Sequence, residues 1–200
     1  MKISNRAPAF SAGHLCPSGF LTRRSRCATF TRISQPDLAR LWEEHTKHEF
    51  EKRDTEATLA TTVKDAYVNH IPVLTGGSGK PALRAFYSRH FIPCLPPETT
   101  RTTVSRTVGE NQIVDEMIFS FTHTEEIPWM LPGVPPTNRH VEVPLVAIVQ
   151  FRDGKLAHEH LYWDQASVLK QIGLLDGGKL PVFDAQTARK VFDPKFVPNM

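Results

Sequence analysis

The stretch from Val141 to Leu175 constrains this chain more than any other. It reads VEVPLVAIVQFRDGKLAHEHLYWDQASVLKQIGLL. Val141 to Phe151 is apolar and rich in β-branched residues, the composition of a buried strand. Asp153-Gly154 follows, a dipeptide that tolerates positive φ and so favours a tight hairpin turn. Leu156 to Trp163 is the returning strand. Side chains alternate along a strand, so His158, His160 and Tyr162 share one face, and Ala157, Glu159, Leu161 and Trp163 the other. Asp164 ends the strand and can cap a short helix from Gln165. That helix buries Val168, Leu169 and Ile172 and stops at Gly173. An apolar hairpin that ends in His, Tyr, Trp and Asp predicts a pocket floor with its polar groups at one end, and His158, His160 and Tyr162 are expected to face inward.

The preceding chain supplies the other layer. Ser34-Gln35-Pro36-Asp37 has the form of a capping box with proline near the first turn. The helix after it carries Leu38, Leu41, Trp42 and His45 on one face, continued by His48 and Glu49. A second short helix is predicted over Glu56 to Val63 and a strand over Ala66 to Val73. Gly76-Gly77-Ser78-Gly79 reads as a flexible turn. A third helix, Lys80 to Phe91, ends at Pro93, Pro96 and Pro97. Strand signals follow at Thr99 to Val108 and Ile113 to Thr124, and the proline-rich loop Ile127 to Asn138 leads into the hairpin. Helices first, then an antiparallel meander, then a short helix is an α+β order, with helices on one face of a curved sheet.

Two hundred residues suffice for one domain with a real core. No apolar run approaches ~18 residues, so no membrane span is expected. The cysteines Cys16, Cys27 and Cys94 are odd in number and irregularly spaced, which argues against a disulfide framework or a cysteine-based zinc site. The net charge of +3 divides unevenly. Residues 1–35 hold six basic residues and no acidic one, whereas the remainder has 18 basic against 21 acidic. The body is therefore no basic nucleic-acid binder. The leader, residues 1–35, is either a disordered tail or a mitochondrial-type transit segment; a cytoplasmic location is expected, with a mitochondrial one the alternative. After a domain over residues 36–176 comes a tail, 177–200. Its Val182, Phe183, Val191 and Phe192 are expected to pack on something, such as a second subunit.

Asp153-Gly154-Lys155-Leu156 with Glu159-His160, then Tyr162-Trp163-Asp164, then Leu169, Gln171 and Gly173 form a specific pattern. With Val68-Asn69-His70 upstream, Pro36 to Leu175 resembles the SnoaL-like branch of the nuclear transport factor 2 superfamily, which includes polyketide cyclases and ketosteroid isomerases. The resemblance implies a cone-shaped α+β barrel, with a six-stranded curved sheet wrapped around a long helix. It implies dimerisation through the sheet's outer face, here expected to carry Val141, Val143, Leu145, Ala147 and Val149. It also implies acid/base chemistry on a carbonyl compound without metal or cofactor. Asp164 occupies about the place of the family's acid. Many relatives only bind ligands, so a non-catalytic binding or assembly module is the competing reading. No G-x-[SC]-x-G nucleophile elbow occurs.

The expected catalytic residues are Asp164, His160 and His70. An imidazole beside a carboxylate in an apolar pocket can exchange a proton near neutral pH. Asp164 as a mere helix cap, with the histidines hydrogen-bonded across the sheet, is the alternative. Tyr67, His45, Trp129, His158, Tyr162 and Trp163 are expected to contact the substrate. Tyr67 or His70 would polarise a carbonyl, and Trp129 with Met130 and Leu131 would form a lid over an apolar ligand. His45, His48 and Glu49, with His158 and His160 added, have spacings that permit zinc or iron. Partly buried, hydrogen-bonded histidines are the reading preferred here, so no metal and no cofactor is expected. Gly76 to Lys80 is not a phosphate loop, because Pro81 stands where Ser or Thr is required. Glu116 and Glu142 are expected to pair with Arg139 or Arg106, and Cys94 to be a small buried residue. The function that follows is cofactor-independent proton transfer, cyclisation or isomerisation, on a small hydrophobic carbonyl or ester compound, in a homodimer.

Overall fold

The structure, a computed structural model, describes residues 37–199, so the basic leader lies outside the described residues. Helix α1 (Leu38–Phe50) starts at Asp37, whose carboxylate accepts from the Arg40 N–H at 3.2 Å and caps the first turn. Its buried residues, Leu38, Trp42, His45, Thr46 and Glu49, recur every three to four positions and form one stripe along the helix. That stripe packs on the sheet. Helix α2 (Thr55–Ala60) is capped in the same way by Asp54. Strands β1 (Thr62–His70) and β2 (Thr75–Ser78) precede helix α3 (Gly79–Phe86), which runs into a π-helical turn, Tyr87–Phe91. Strands β3 (Thr100–Val108), β4 (Gln112–Thr122), β5 (His140–Arg152) and β6 (Lys155–Trp163) follow, then helices α4 (Gln165–Gln171) and α5 (Gln186–Phe192).

The six strands form an open sheet in the order β2-β1-β6-β5-β4-β3. The α+β class and the helix-covered sheet agree with the sequence reading. The meander β3-β4-β5-β6 is antiparallel throughout, as expected, but the sheet as a whole is mixed, because β1 pairs in parallel with β6. This joins the start of the domain to its last strand and sets His70 and Glu159 on adjacent central strands. The glycine run expected as a flexible turn is strand β2, antiparallel to β1. Gly76 adopts φ +132°, and a Cβ there would stand 2.0 Å from the Val68 carbonyl oxygen. Only glycine lets the two backbones approach so closely.

Strand β5 alternates without a break. Val141, Val143, Leu145, Ala147 and Val149 are buried, while Glu142, Pro144, Val146, Ile148 and Gln150 are half-buried on the opposite face. The apolar set expected on an outward dimer surface is therefore core. The outer face of the sheet carries Pro144, Val146 and Ile148 of β5 beside Val114 and Ile118 of β4 and Tyr162 of β6. The tail folds back on its own domain through α5, which contacts β5 and buries Ala188. Arg189 lies 3.8 Å from Glu142, and Lys170 donates to the Val182 carbonyl.

Candidate active site

Helix α1, the π-helical turn and the inward faces of β1, β4, β5 and β6 enclose a cavity. Its wall is mainly aromatic and aliphatic: Phe50, Phe86, Phe91, Phe119, Trp129 and Leu145 contribute. The concavity holds about 460 Å³ free of protein atoms, of which about 30 Å³ is wide enough for the centre of a water molecule. It therefore takes a water or two as it stands. A handful of polar side chains break the apolar lining, namely Glu49, Glu159, His70, Tyr87 and Arg101.

His45 stands behind the two carboxylates and is fully buried. Its Nε2 lies 3.2 Å from Glu49 Oε1, one helical turn on, and 3.1 Å from Glu159 Oε1 on β6. On the other side of the ring, Nδ1 is 2.6 Å from Thr61 Oγ1, and that hydroxyl lies 2.6 Å from the Thr58 carbonyl. A carbonyl can only accept, so the Thr61 proton goes to Thr58 and Thr61 must accept from His45 Nδ1–H. Nε2 then faces two carboxylates. A bare lone pair there would be repelled by both, so positive charge belongs between the three groups. Burial opposes a charged imidazole, but the charge of Glu49 and the contact with Glu159 outweigh it and push the His45 pKa up to about 10. Burial raises the Glu159 carboxyl, and its contact with His45 only partly opposes this. Trp42 stacks on His45 at 5.8 Å, and its indole N–H donates to Asp115 at 2.8 Å. Tyr87 meets the His45 ring edge-on at 6.3 Å. Its hydroxyl makes no hydrogen bond of good geometry among the described residues, and burial, then the charges of Glu159 and Glu49 and a loose contact with the Glu49 carboxylate, keep it a neutral phenol.

His70 occupies the far wall, buried among Phe86, Phe91, Trp129 and Trp163, with ring centroids 5.2 to 6.0 Å away. Thr75 Oγ1 donates to the Trp129 carbonyl at 2.6 Å and lies 3.2 Å from His70 Nδ1. By the same argument Nδ1 carries the proton and Nε2 is the free acceptor. Burial holds the His70 pKa down to about 3, so the ring is neutral at every ordinary pH.

The expected site residues separate into two groups. His70 and Trp129 line the cavity, with His45 behind its carboxylates and Trp163 packed on His70. Tyr67, His158, His160 and Tyr162 lie on the opposite face of the sheet. There His158 stacks on His160 at 4.6 Å and on Tyr67 at 4.9 Å, and His160 Nε2 is 3.2 Å from the Tyr67 hydroxyl. The cause is a bulge in the β5–β6 pairing. Phe151 pairs with Leu156, but Gln150 pairs with His158, and Val149 with Glu159. The extra residue, Ala157, moves Glu159 onto the core face and the histidines off it. Asp164 is exposed and accepts from the N–H groups of Ala166 and Ser167 at 2.9 and 3.2 Å, the geometry of a helix cap. The cavity's own carboxylates are Glu159 and Glu49. Arg106 pairs with Asp115 and Glu43, and Glu116 accepts from Ser105, so the pairings expected for Glu116 and Glu142 do not form. Asp164→Asn is expected to leave stability unchanged, and Asp164→Ala to cost about 1 kcal/mol. Urea unfolding of both variants checks this, and equal losses would remove the cap assignment.

The residues sequence reasoning missed are Glu159, Tyr87 and Arg101. The periodicity of α1 puts Glu49 on the buried helix face together with His45. Among the described residues, His45, Glu49 and Glu159 also form the group with metal-ligand spacing, with one donor atom each within 4.8 Å of the others.

Comparison with known proteins places the fold. A SnoaL-like domain matches residues 42–159. No curated protein matches the chain significantly. Among solved structures it is similar to TsrD from Streptomyces laurentii, at 20% identity and TM-score 0.53, over 69% of this chain and 96% of that one. A SnoaL-like polyketide cyclase candidate from Jannaschia sp. CCS1 is 17% identical with TM-score 0.52, over 68% and 94%. A ketosteroid isomerase-like protein from Catenulispora acidiphila, solved with trimethylamine, is 14% identical with TM-score 0.51, over 68% and 93%.

Proposed function

The chain belongs to the SnoaL-like family, and we propose that it is a small-molecule enzyme that moves a proton inside its apolar cavity, on a hydrophobic carbonyl or ester compound. The observation that carries this reading is the buried His45–Glu49–Glu159 cluster in an otherwise apolar wall. Glu159 borders the cavity, whereas His45 stands behind it. Glu159 is therefore the acid/base that meets substrate, with its pKa moved by burial toward working pH. His45 holds the carboxylates in place and shares their proton. The Tyr87 hydroxyl, neutral and without a hydrogen bond of good geometry among the described residues, is the donor for an oxyanion that develops on the substrate. His70 Nε2 accepts a hydrogen bond from the other end of the compound. A ligand of several carbons requires the aromatic wall to shift, and Phe50 and Phe91, in edge contact at 5.8 Å, are the movable part. Convergent titratable groups favour an enzyme over a binding module, for which an apolar cavity alone would serve.

The test is deuterium wash-in at carbon next to a carbonyl, followed by proton NMR in D₂O over a panel of hydrophobic ketones and esters. Wild type is expected to exchange at least one of them faster than buffer. No exchange across the panel would overturn the reading.

A second reading rests on one geometric fact. Both oxygens lie 3.1–3.2 Å from His45 Nε2, yet Nε2 has no hydrogen-bond partner of good geometry. One donor atom from each of His45, Glu49 and Glu159 lies within 4.8 Å of the others, a spacing that would let the three residues hold one divalent cation. Thr61 would then be the group that orients the histidine. Metal analysis of protein purified after loading with Zn²⁺ or Mn²⁺ decides. One ion per chain, lost in Glu49→Gln, supports the cation, and a metal-free protein supports the proton.

A further inference from the structure

Arg101 sits where two cavities meet. It lies on β3 opposite Phe119 and borders the apolar cavity. It also borders a polar groove of about 400 Å³ beside α1, lined by Lys47, Thr103, Arg106 and Asp115 among others. Its guanidinium carbon stands 4.0 Å from the centroid of the Phe50 ring. Among the described residues it makes no hydrogen bond and no ion pair, whereas neighbouring Arg106 binds both Asp115 and Glu43.

Three carboxylates lie near enough to act on Arg101, and each faces another partner; Glu51, the weakest of them, stands 4.0 Å from Lys47. Asp115 receives Trp42 Nε1 and two donors of Arg106. Glu49 faces His45. A guanidinium cannot shed its proton, and its planar fork matches a carboxylate. Burial acts first on Arg101, against its charge, and Glu49, Asp115 and Glu51 offset this only from a distance, with Arg106 working against them. A largely desolvated cation at the mouth of an apolar cavity, with no anion of its own, asks for an anion brought by the ligand.

We propose that Arg101 is the anchor for a carboxylate on the compound that occupies the cavity, so the protein binds organic acids with an apolar body in preference to neutral carbonyl compounds. The acid group stays at the mouth, beside the polar groove, and the apolar body reaches inward to Glu159 and Tyr87. This rests on the reading above only for the location of the compound, not for its chemistry.

Calorimetric binding of benzoate and benzamide to the full chain at pH 7 is the test. The two probes share a shape and differ in charge. Benzoate is expected to bind at least tenfold more tightly than benzamide. Arg101→Met should abolish that preference while keeping the apolar stem over Phe50, and Arg101→Lys should retain part of it. Equal affinities, no benzoate binding, or a preference that survives in Arg101→Met would overturn the proposal. If Arg101→Met fails to fold, the wild-type comparison and Arg101→Lys decide. Glu159→Gln should keep the benzoate preference whatever happens to proton exchange, so anchor and chemistry fail separately.

Discussion

Glu159→Gln is expected to lower turnover by about two to four orders of magnitude, the range for loss of a general acid/base. Gln preserves the shape of the side chain and leaves Glu49 against His45. Only the exchangeable proton is lost, so affinity should change far less than rate. A carboxyl whose folded pKa is raised destabilises the fold once pH exceeds its unfolded value, because the folded state resists its ionisation. A neutral amide removes that penalty but also takes away one of the two carboxylates at His45 Nε2, so Glu159→Gln is expected to lower stability far less than His45→Leu does near pH 7. Turnover and thermal melts on one preparation check both statements. Full activity in Glu159→Gln would end the catalytic assignment of this residue.

His45→Leu is expected to destabilise the protein by about 3–5 kcal/mol, the cost of removing one partner from a buried ionic cluster. Glu49 and Glu159 would then face each other in an apolar wall with no cation between them. Replacing all three with leucine should recover most of the loss, since apolar groups of similar volume need no partner. The pH dependence has a definite sign. The folded pKa of His45, about 10, lies above its ordinary 6.5. Its stabilisation is therefore fully present below 6.5 and is lost as pH rises through about 10. The gap between wild type and His45→Leu in urea unfolding should narrow over that interval. A gap that stays constant would show that the positive charge at Nε2 is not a titrating proton.

Legible in the sequence alone were the α+β class, the family resemblance and the order of the elements, strand β2 and helix α5 excepted. Each follows from local properties: β-branched runs, a dipeptide that turns, capping side chains, and the recurrence of Leu38, Trp42, His45 and Glu49 along one helix face. The sequence also placed the alternation of the last strand correctly, with Glu159 and the histidines on opposite faces. Which face turns inward depended on tertiary structure. Without the bulge at Ala157, Val149 would oppose His158, and the histidines would line the cavity. One extra residue reverses that choice, because side-chain direction has period two, and no feature of the sequence marks the bulge. The pairing of β1 with β6 and the meeting of His45 with Glu159 join residues 91 to 114 positions apart, beyond the reach of any local pattern. The proton positions on His45 and His70 follow from Thr61 and Thr75, whose own hydrogen bonds exist only once the chain has folded.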